Sequence, residues 1–172
     1  CGTTFTAVNL ALSMARVPGS RTILMDMNRR SPGVQDALKL GPCSDAGGFL
    51  DGSVAMEDYL VRPADTLALG LGGAPDLNPA ETLQDPACAA VLEDMVLRSG
   101  AGAVLYDLPP VLEHDDLAAF LPQVDGVLLV SDGTGTTSAQ LEACEKLIAG
   151  QAELLGVVLN RARKPGGALQ GG

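Results

Sequence analysis

The sequence contains no tryptophan, and tyrosine and phenylalanine together make up only 3% of its 172 residues. Because the hydrophobic fraction is nonetheless 47%, the composition is typical of a globular domain whose core is built from aliphatic side chains and methionine. No apolar run approaches the roughly 20 residues of a membrane span, and no signal peptide is recognisable at the start. We therefore expect a single globular domain of ordinary size.

Basic residues are also scarce: the sequence has 11 Lys and Arg against 21 Asp and Glu, which gives a net charge of −10. Such a domain repels the phosphate backbone, so no nucleic-acid partner is expected. A single histidine, His114, and four widely spaced cysteines without a CxxC pair exclude a zinc signature and a disulfide framework. The cysteines are interpreted as buried or loop thiols of a reducing compartment.

Apolar runs of strand length alternate with segments of helical periodicity along the whole chain. This order predicts an α/β fold that is P-loop NTPase-like, with a mostly parallel central sheet and helices on both faces. In such sheets, ligands bind beyond the carboxyl ends of the strands. The predicted strands are Arg21–Asp26, Thr66–Gly72, Ala103–Asp107, Val124–Ser131 and Leu155–Asn160. The predicted helices are Thr6–Arg16, Val34–Leu40, Ser53–Leu60 (capped by Ser53), Pro86–Arg98, Asp115–Phe120 and a last helix that is capped by Thr136 or Thr137 and ends at Ile148.

The first residues look like the second half of a phosphate-binding loop that runs into a helix. Gly2 fits the last loop glycine and Thr4 the residue whose hydroxyl holds Mg²⁺, but Thr3 occupies the position of the P-loop lysine. Because the sequence begins inside a motif, we expect a first strand and the start of the P-loop upstream. The kinase- or ATPase-like domain is predicted to span residues 1–164, followed by a flexible Gly-rich tail over 165–172.

Two aspartates end apolar strands and complete the candidate site. Asp107 fits a Walker B carboxylate, and Asp26 follows a neighbouring strand, so Thr4, Asp26 and Asp107 are the candidate Mg²⁺ ligands. Taken alone, either aspartate is as well explained as a helix cap or turn former. Their coincidence with the loop fragment favours the catalytic and metal-binding interpretation.

The order of these motifs resembles the deviant Walker ATPases, which include partition and division-site ATPases, and more specifically the bacterial tyrosine kinases of capsule and exopolysaccharide synthesis. Any one motif is weak evidence, but six in the expected order are strong. They are TAVNLA (6–11), ILMDMNRR (23–30), NPAETL (78–83), DLPPV (107–111), DGVLLV (125–130) and LGVVLNR (155–161).

The resemblance implies ATP or ADP and Mg²⁺ as cofactors, with Asp26 and Asp107 as catalytic residues. It also implies nucleotide binding by a set of six residues at the loop and at the end of the last strand. It further implies a membrane polysaccharide co-polymerase or chain-length protein as partner, and a cytoplasmic location at the inner face of the membrane. A homo-oligomeric ring, which would involve Arg30, is an open option. The six nucleotide-binding candidates are Gly2, Thr3, Thr4, Phe5, Asn160 and Arg161.

Three departures from the family pattern point to a pseudokinase with weak or no phosphotransfer. Thr3 replaces the lysine, Asn28 replaces the second aspartate of D-x-D-x-R, and the tail has no tyrosine. Phe5 stands where the family commonly has a small residue and is expected to crowd the nucleotide. Two alternatives stay open: an active partition-type ATPase that uses a lysine from elsewhere, and an interaction domain that binds no nucleotide.

Overall fold

The structure is a computed structural model that describes residues 2–41, 45–113 and 116–162. The predicted Gly-rich tail, Cys1, Cys43 and His114 lie outside the described residues. Cys88 and Cys144 are buried free thiols, as expected from the cysteine spacing. No helix of the described residues is long and apolar enough to cross a membrane.

Four strands form the larger sheet, in the order β2-β3-β1-β4. β1 pairs in parallel with β3 on one side and with β4 on the other, and all five of its residues are buried. β2 was not predicted; it adds an antiparallel edge through a short, largely exposed segment that contains Pro63, which is tolerated at an edge. The strands are β1 Thr22–Asp26, β2 Val61–Ala64, β3 Leu67–Gly70 and β4 Ala103–Asp107.

A second sheet holds two parallel strands, β5 Gly126–Asp132 and β6 Glu153–Asn160. The helix between them, Ser138–Ile148, is capped by Thr137, whose hydroxyl accepts the Gln140 backbone N–H while the Gln140 side chain accepts the Thr137 N–H. This capping box confirms the predicted cap. The predicted α/β class with mostly parallel strands is therefore also confirmed, although the described strands form two sheets.

Eight α-helices and one short 3₁₀ segment occupy the described residues. α1 starts at Thr3, earlier than predicted, because Gly2 takes a left-handed conformation directly before it. The helices are α1 Thr3–Met14, α2 Val34–Ala37, α3 Ala46–Leu50, α4 Met56–Tyr59, α5 Pro79–Gln84, α6 Pro86–Ser99, α7 Asp116–Phe120 and α8 Ser138–Ile148, and the 3₁₀ segment is Leu121–Gln123.

The predicted helix over Ser53–Leu60 was wrong at its start. Asp45 accepts the Gly48 N–H and begins a separate helix, α3, in a stretch where no helix was predicted. α4 begins only after Ala55, so Ser53 is not its N-cap. The Ser53 N–H instead bonds to Asp51 in a turn, because short Asp side chains satisfy local backbone donors as readily as helix caps do.

The core lies on both faces of the larger sheet, because alternate side chains of a strand point to opposite faces. Ile23 and Met25 join one cluster together with α3, α4 and α6, and Leu24 joins the other together with α1 and α2. Two of the few aromatic residues, Phe49 and Tyr59, stack in the first cluster with ring centroids 4.3 Å apart.

Replacing Tyr59 by Phe tests how α4 is tied to the loop after β3. The buried Tyr59 hydroxyl donates a hydrogen bond to the Leu71 carbonyl over 2.9 Å. Its loss leaves a buried acceptor, so we expect the free energy of unfolding to fall by about 1–2 kcal/mol in urea denaturation. Tyr106→Phe is the control, since no described residue is seen to bond that hydroxyl; equal effects of the two changes would refute the assigned role.

Candidate functional site

The start of α1 lies at the carboxyl ends of both sheets. Gly2 has a φ of +87°, and its carbonyl accepts the Thr6 backbone N–H and the Thr6 hydroxyl, each over 3.0 Å. A Cβ built on Gly2 would lie 2.1 Å from Nδ2 of Asn160, the last residue of β6. Glycine is therefore required here by backbone conformation and by the close approach of Asn160.

Thr4 connects α1 to the end of β4. Its hydroxyl donates a hydrogen bond to Asp107 Oδ2 over 2.6 Å. The same hydroxyl oxygen would lie 3.3 Å from a Cβ built on Gly33, in the loop after β1. Asp107 is buried, and its Oδ1 has no hydrogen-bond partner among the described residues. A buried carboxylate oxygen without a partner is costly, so this atom requires a functional explanation.

Asp26 lies beside Asp107, since the two are paired in the register of β1 and β4. Its Oδ2 accepts the backbone N–H groups of Gly33 and Val34 over 2.8 and 2.9 Å, and its Oδ1 accepts that of Asn28 over 3.3 Å. Asp26 therefore organises the loop that leads into α2. It has lone pairs left, but most of its hydrogen-bonding capacity serves the backbone.

Both carboxyls are harder to ionise than in water. Burial raises the pKa of Asp107 to about 6; the Thr4 hydrogen bond acts against this rise, and the charge of Asp26 adds to it. Burial also raises the pKa of Asp26, despite the opposing hydrogen bonds from Val34, Gly33 and Asn28. Two such groups on adjacent strands favour a bound cation, which would stabilise both charged forms.

These residues fit Mg²⁺, a hard cation that takes oxygen ligands. The Thr4 hydroxyl keeps its lone pairs while it donates to Asp107, and Asp107 Oδ1 is available. The described residues contain no group of three or more His, Cys, Asp or Glu that would hold a metal alone. That agrees with Mg²⁺ chemistry, in which one or two carboxylates act together with substrate phosphates and waters.

The structure thus brings together Gly2, Thr4, Asp26, Asp107 and Asn160 among the predicted site residues. Thr3 lies between Gly2 and Thr4, in the first turn of α1.

The other two predicted site residues are chain neighbours of this group. Phe5 follows Thr4 in α1 and has 66% of its surface exposed. Arg161 follows Asn160; its backbone N–H donates to Asn160 Oδ1, and its guanidinium forms an ion pair with Asp132 at 3.3 Å.

Sequence reasoning missed Arg29 and Gly72. Arg29 lies in the polar loop that follows β1, but it is buried, and its Nη1 donates to the Gly72 carbonyl. A Cβ on Gly72 would lie 3.1 Å from Asp26 Cγ and 2.4 Å from Pro32. The loop after β3 is thereby held against Asp26. The glycines that end the predicted strand were the one available signal for this close approach.

Several solved structures superpose on this fold. The VpsO kinase domain superposes with a TM-score of 0.84 at 28% identity, over 94% of this chain and 79% of that one. The chimeric protein CapA2B2 gives 0.84 at 26%, over 95% and 72%. The BceF tyrosine kinase domain gives 0.78 at 26%, over 94% and 64%.

More distant structures share the fold alone, such as the septum-site protein MinD of Pyrococcus horikoshii in complex with Mg-ADP. Its TM-score is 0.70 at 17% identity, over 92% of this chain and 64% of that one. No family model matches the chain, and no curated protein matches its sequence. By its mostly parallel α/β fold, the order of its motifs and its structural neighbours at 26–28% identity, the chain is similar to the kinase domains of bacterial tyrosine kinases.

Proposed function

We propose that this domain binds ATP or ADP with Mg²⁺ but transfers phosphate weakly or not at all, and that it regulates capsule or exopolysaccharide synthesis and export. The observation that carries the proposal is the hydrogen bond between the half-buried Thr4 and the buried Asp107, the two candidate Mg²⁺ ligands, next to a position that is Thr3 and not lysine. Binding groups are retained, and a charge that acts on the transferred phosphate is lost.

The physical argument concerns the transition state. Phosphoryl transfer depends on neutralising charge on the outer phosphates, which a short, uncharged threonine cannot do. Asn28 adds a second loss: its side-chain oxygen accepts the Ser31 N–H over 3.3 Å within its own turn, and an amide is a poor base. Removing one preorganised group of this kind typically lowers a rate by about 10²–10³-fold.

The partner belongs to the proposal as well. We infer that the domain acts in the cytoplasm, at the inner face of the membrane, by docking on a polysaccharide co-polymerase or chain-length protein. The bacterial tyrosine kinase neighbours support this inference, and the net charge of −10 disfavours a nucleic-acid partner.

A working ATPase is the second candidate, and the MinD fold neighbours favour it. In that case a lysine from another segment or subunit would reach the phosphates. The third candidate is an interaction domain that binds no nucleotide; it also explains why Thr3 and Asn28 replace the lysine and the aspartate. Thermal denaturation with Mg-ADP separates the third candidate from the others, because a ligand that binds the folded state raises the melting temperature.

Purified protein incubated with ATP and Mg²⁺ is expected to show no phosphotyrosine, on itself or on a Glu-Tyr copolymer, by mass spectrometry. The chain has only two tyrosines, and Tyr59 is buried with its hydroxyl bonded to Leu71. ATP hydrolysis measured in the same reaction tests the ATPase candidate. Robust phosphotyrosine that disappears in Asp107→Ala would overturn the proposal.

A further inference from the structure

Arg29 is a buried cation in the loop after β1, three residues beyond Asp26. Only 5% of its surface is exposed. Its Nη1 donates to the Gly72 carbonyl, and its Nε has no hydrogen-bond partner among the described residues. A buried guanidinium whose bonded partner is neutral costs free energy, because a carbonyl only partly replaces the water that the charge has lost. The side chain therefore needs an explanation beyond packing.

Arg29 holds the loop after β3, residues 71–78, at two points. Besides the side-chain bond to Gly72, the Arg29 carbonyl accepts the Asp76 backbone N–H over 2.8 Å. These two points are four residues apart in the loop, so one residue fixes both the position and the direction of the segment between them. The Asp76 carboxylate in turn accepts the Thr82 hydroxyl over 2.7 Å, which joins the loop to α5.

Gly72 is the point at which this loop meets the candidate site. A Cβ built on Gly72 would lie 3.1 Å from Asp26 Cγ, so the Gly72 backbone packs against the Asp26 carboxyl group. On the loop after β1, the N–H groups of Gly33 and Val34 bond to Oδ2 of the same carboxyl. Asp26 is thus held by one loop through hydrogen bonds and contacted by the other, whose place depends on Arg29.

We propose that Arg29 is a positioning residue of the Mg²⁺ site, which holds Gly72 against Asp26 and so fixes the orientation of the Asp26 carboxylate. Oδ2 is engaged by two backbone N–H groups, and the bond from Asn28 to Oδ1 is longer, at 3.3 Å, so Oδ1 is the oxygen left for an ion. The identity of the ion rests on the function proposed above; the position of Asp26 does not.

Charge and position predict opposite effects when Arg29 is replaced by Met. A nearby cation repels Mg²⁺, so a role of the charge alone predicts that Arg29→Met binds the ion more tightly. A positioning role predicts weaker binding, because Asp26 then has to be ordered when the ion binds. Methionine suits the test, since replacing a buried charge by an apolar side chain of similar length is often tolerated by the fold.

Hydrogen exchange of the Gly33 and Val34 amides measures the position of Asp26 without any ligand, because both amides donate to its Oδ2. We expect Arg29→Met to speed the exchange of these two amides by about tenfold or more, while the amides of β1 keep their rates. Arg29→Lys keeps a charged donor and should restore most of the protection. Arg98→Met is the matched control, since it removes an exposed, ion-paired arginine of α6 and should change neither amide.

Unchanged exchange at Gly33 and Val34 in Arg29→Met would overturn the proposal. Equal acceleration in β1 would do so as well, because it would show a general loss of stability and no specific effect on Asp26.

Calorimetric titration of Mg²⁺ into the ADP complex tests Arg29 at the site itself. We expect Arg29→Met to bind Mg²⁺ at least about tenfold more weakly than wild type, and Arg29→Lys to stay within about threefold of it. Binding of ADP alone, in EDTA, should not change. Tighter binding of Mg²⁺ by Arg29→Met would overturn the proposal in favour of a charge effect. A wild-type protein that binds neither ADP nor Mg²⁺ would refute the proposed function instead, and the exchange rates would still decide the role of Arg29.

Discussion

Replacing Thr3 by Lys and Asn28 by Asp is expected to tighten the binding of ADP with Mg²⁺ by about tenfold or more, because charge-assisted hydrogen bonds contribute about 1.5–3 kcal/mol. Thr3 is the first residue of α1, between Gly2 and the Mg²⁺ candidate Thr4. A lysine there has the length and charge to reach outer phosphates, and the helix N-terminus already favours an anion. Isothermal titration calorimetry on wild type and double variant measures the gain.

A control variant distinguishes a lysine at position 3 from a positive charge elsewhere on α1. Leu12→Lys adds the same charge on an exposed position of α1, 40% accessible, and should leave the affinity within about twofold of wild type. If the double variant binds Mg-ADP no more tightly than Leu12→Lys does, missing charge is not what limits binding. The amide of Asn160 packed against Gly2 would then be the obstacle, and the pseudokinase argument would lose its main support.

The aspartates at the strand ends were predictable because the relevant signal is local. An apolar run that stops on Asp26 or Asp107 marks a buried parallel strand and places the carboxylate at the ligand-binding edge. Once β1 and β4 are neighbours in the sheet, Asp26 and Asp107 are paired in the register. The sequence therefore predicted which carboxylates lie together at the strand ends, and their role in binding stays a prediction.

What sequence reasoning missed depends on contacts between distant segments. The burial of Arg29 needs the Gly72 carbonyl, 43 positions further along the chain, and nothing in the polar loop signals it. The approach of Asn160 to Gly2 depends on how the two sheets meet at α1. The error at Ser53 had a different origin: Asp45, Asp51 and Ser53 can all cap a helix, and the structure has Asp45 as the N-cap of α3.

Wild-type protein without Mg²⁺ should lose stability as the pH rises from about 4 to about 7. The folded-state pKa of Asp107 is raised from 3.8 to about 6, so the folded state binds the proton more tightly than the unfolded chain in this window. The stabilisation is present at low pH and is lost as pH passes the folded-state pKa; the full shift corresponds to about 3 kcal/mol. Asp26 shifts in the same direction and adds to the loss.

Asp107→Asn should remove most of this pH dependence, in urea denaturation across the same range, because no buried charge has to form and the repulsion felt by Asp26 also disappears. Asp132→Asn is the matched control, since the Thr134 hydroxyl lowers the pKa of that half-buried carboxyl and its effect has the opposite sign. A flat wild-type profile would contradict the prediction. Mg²⁺ should flatten the wild-type profile, because it binds the charged form of Asp107, and should leave the Asp107→Asn profile unchanged. Ionised Asp107 destabilises the fold near neutral pH. The simplest reason for a carboxylate at this position is that its charged form binds a cation.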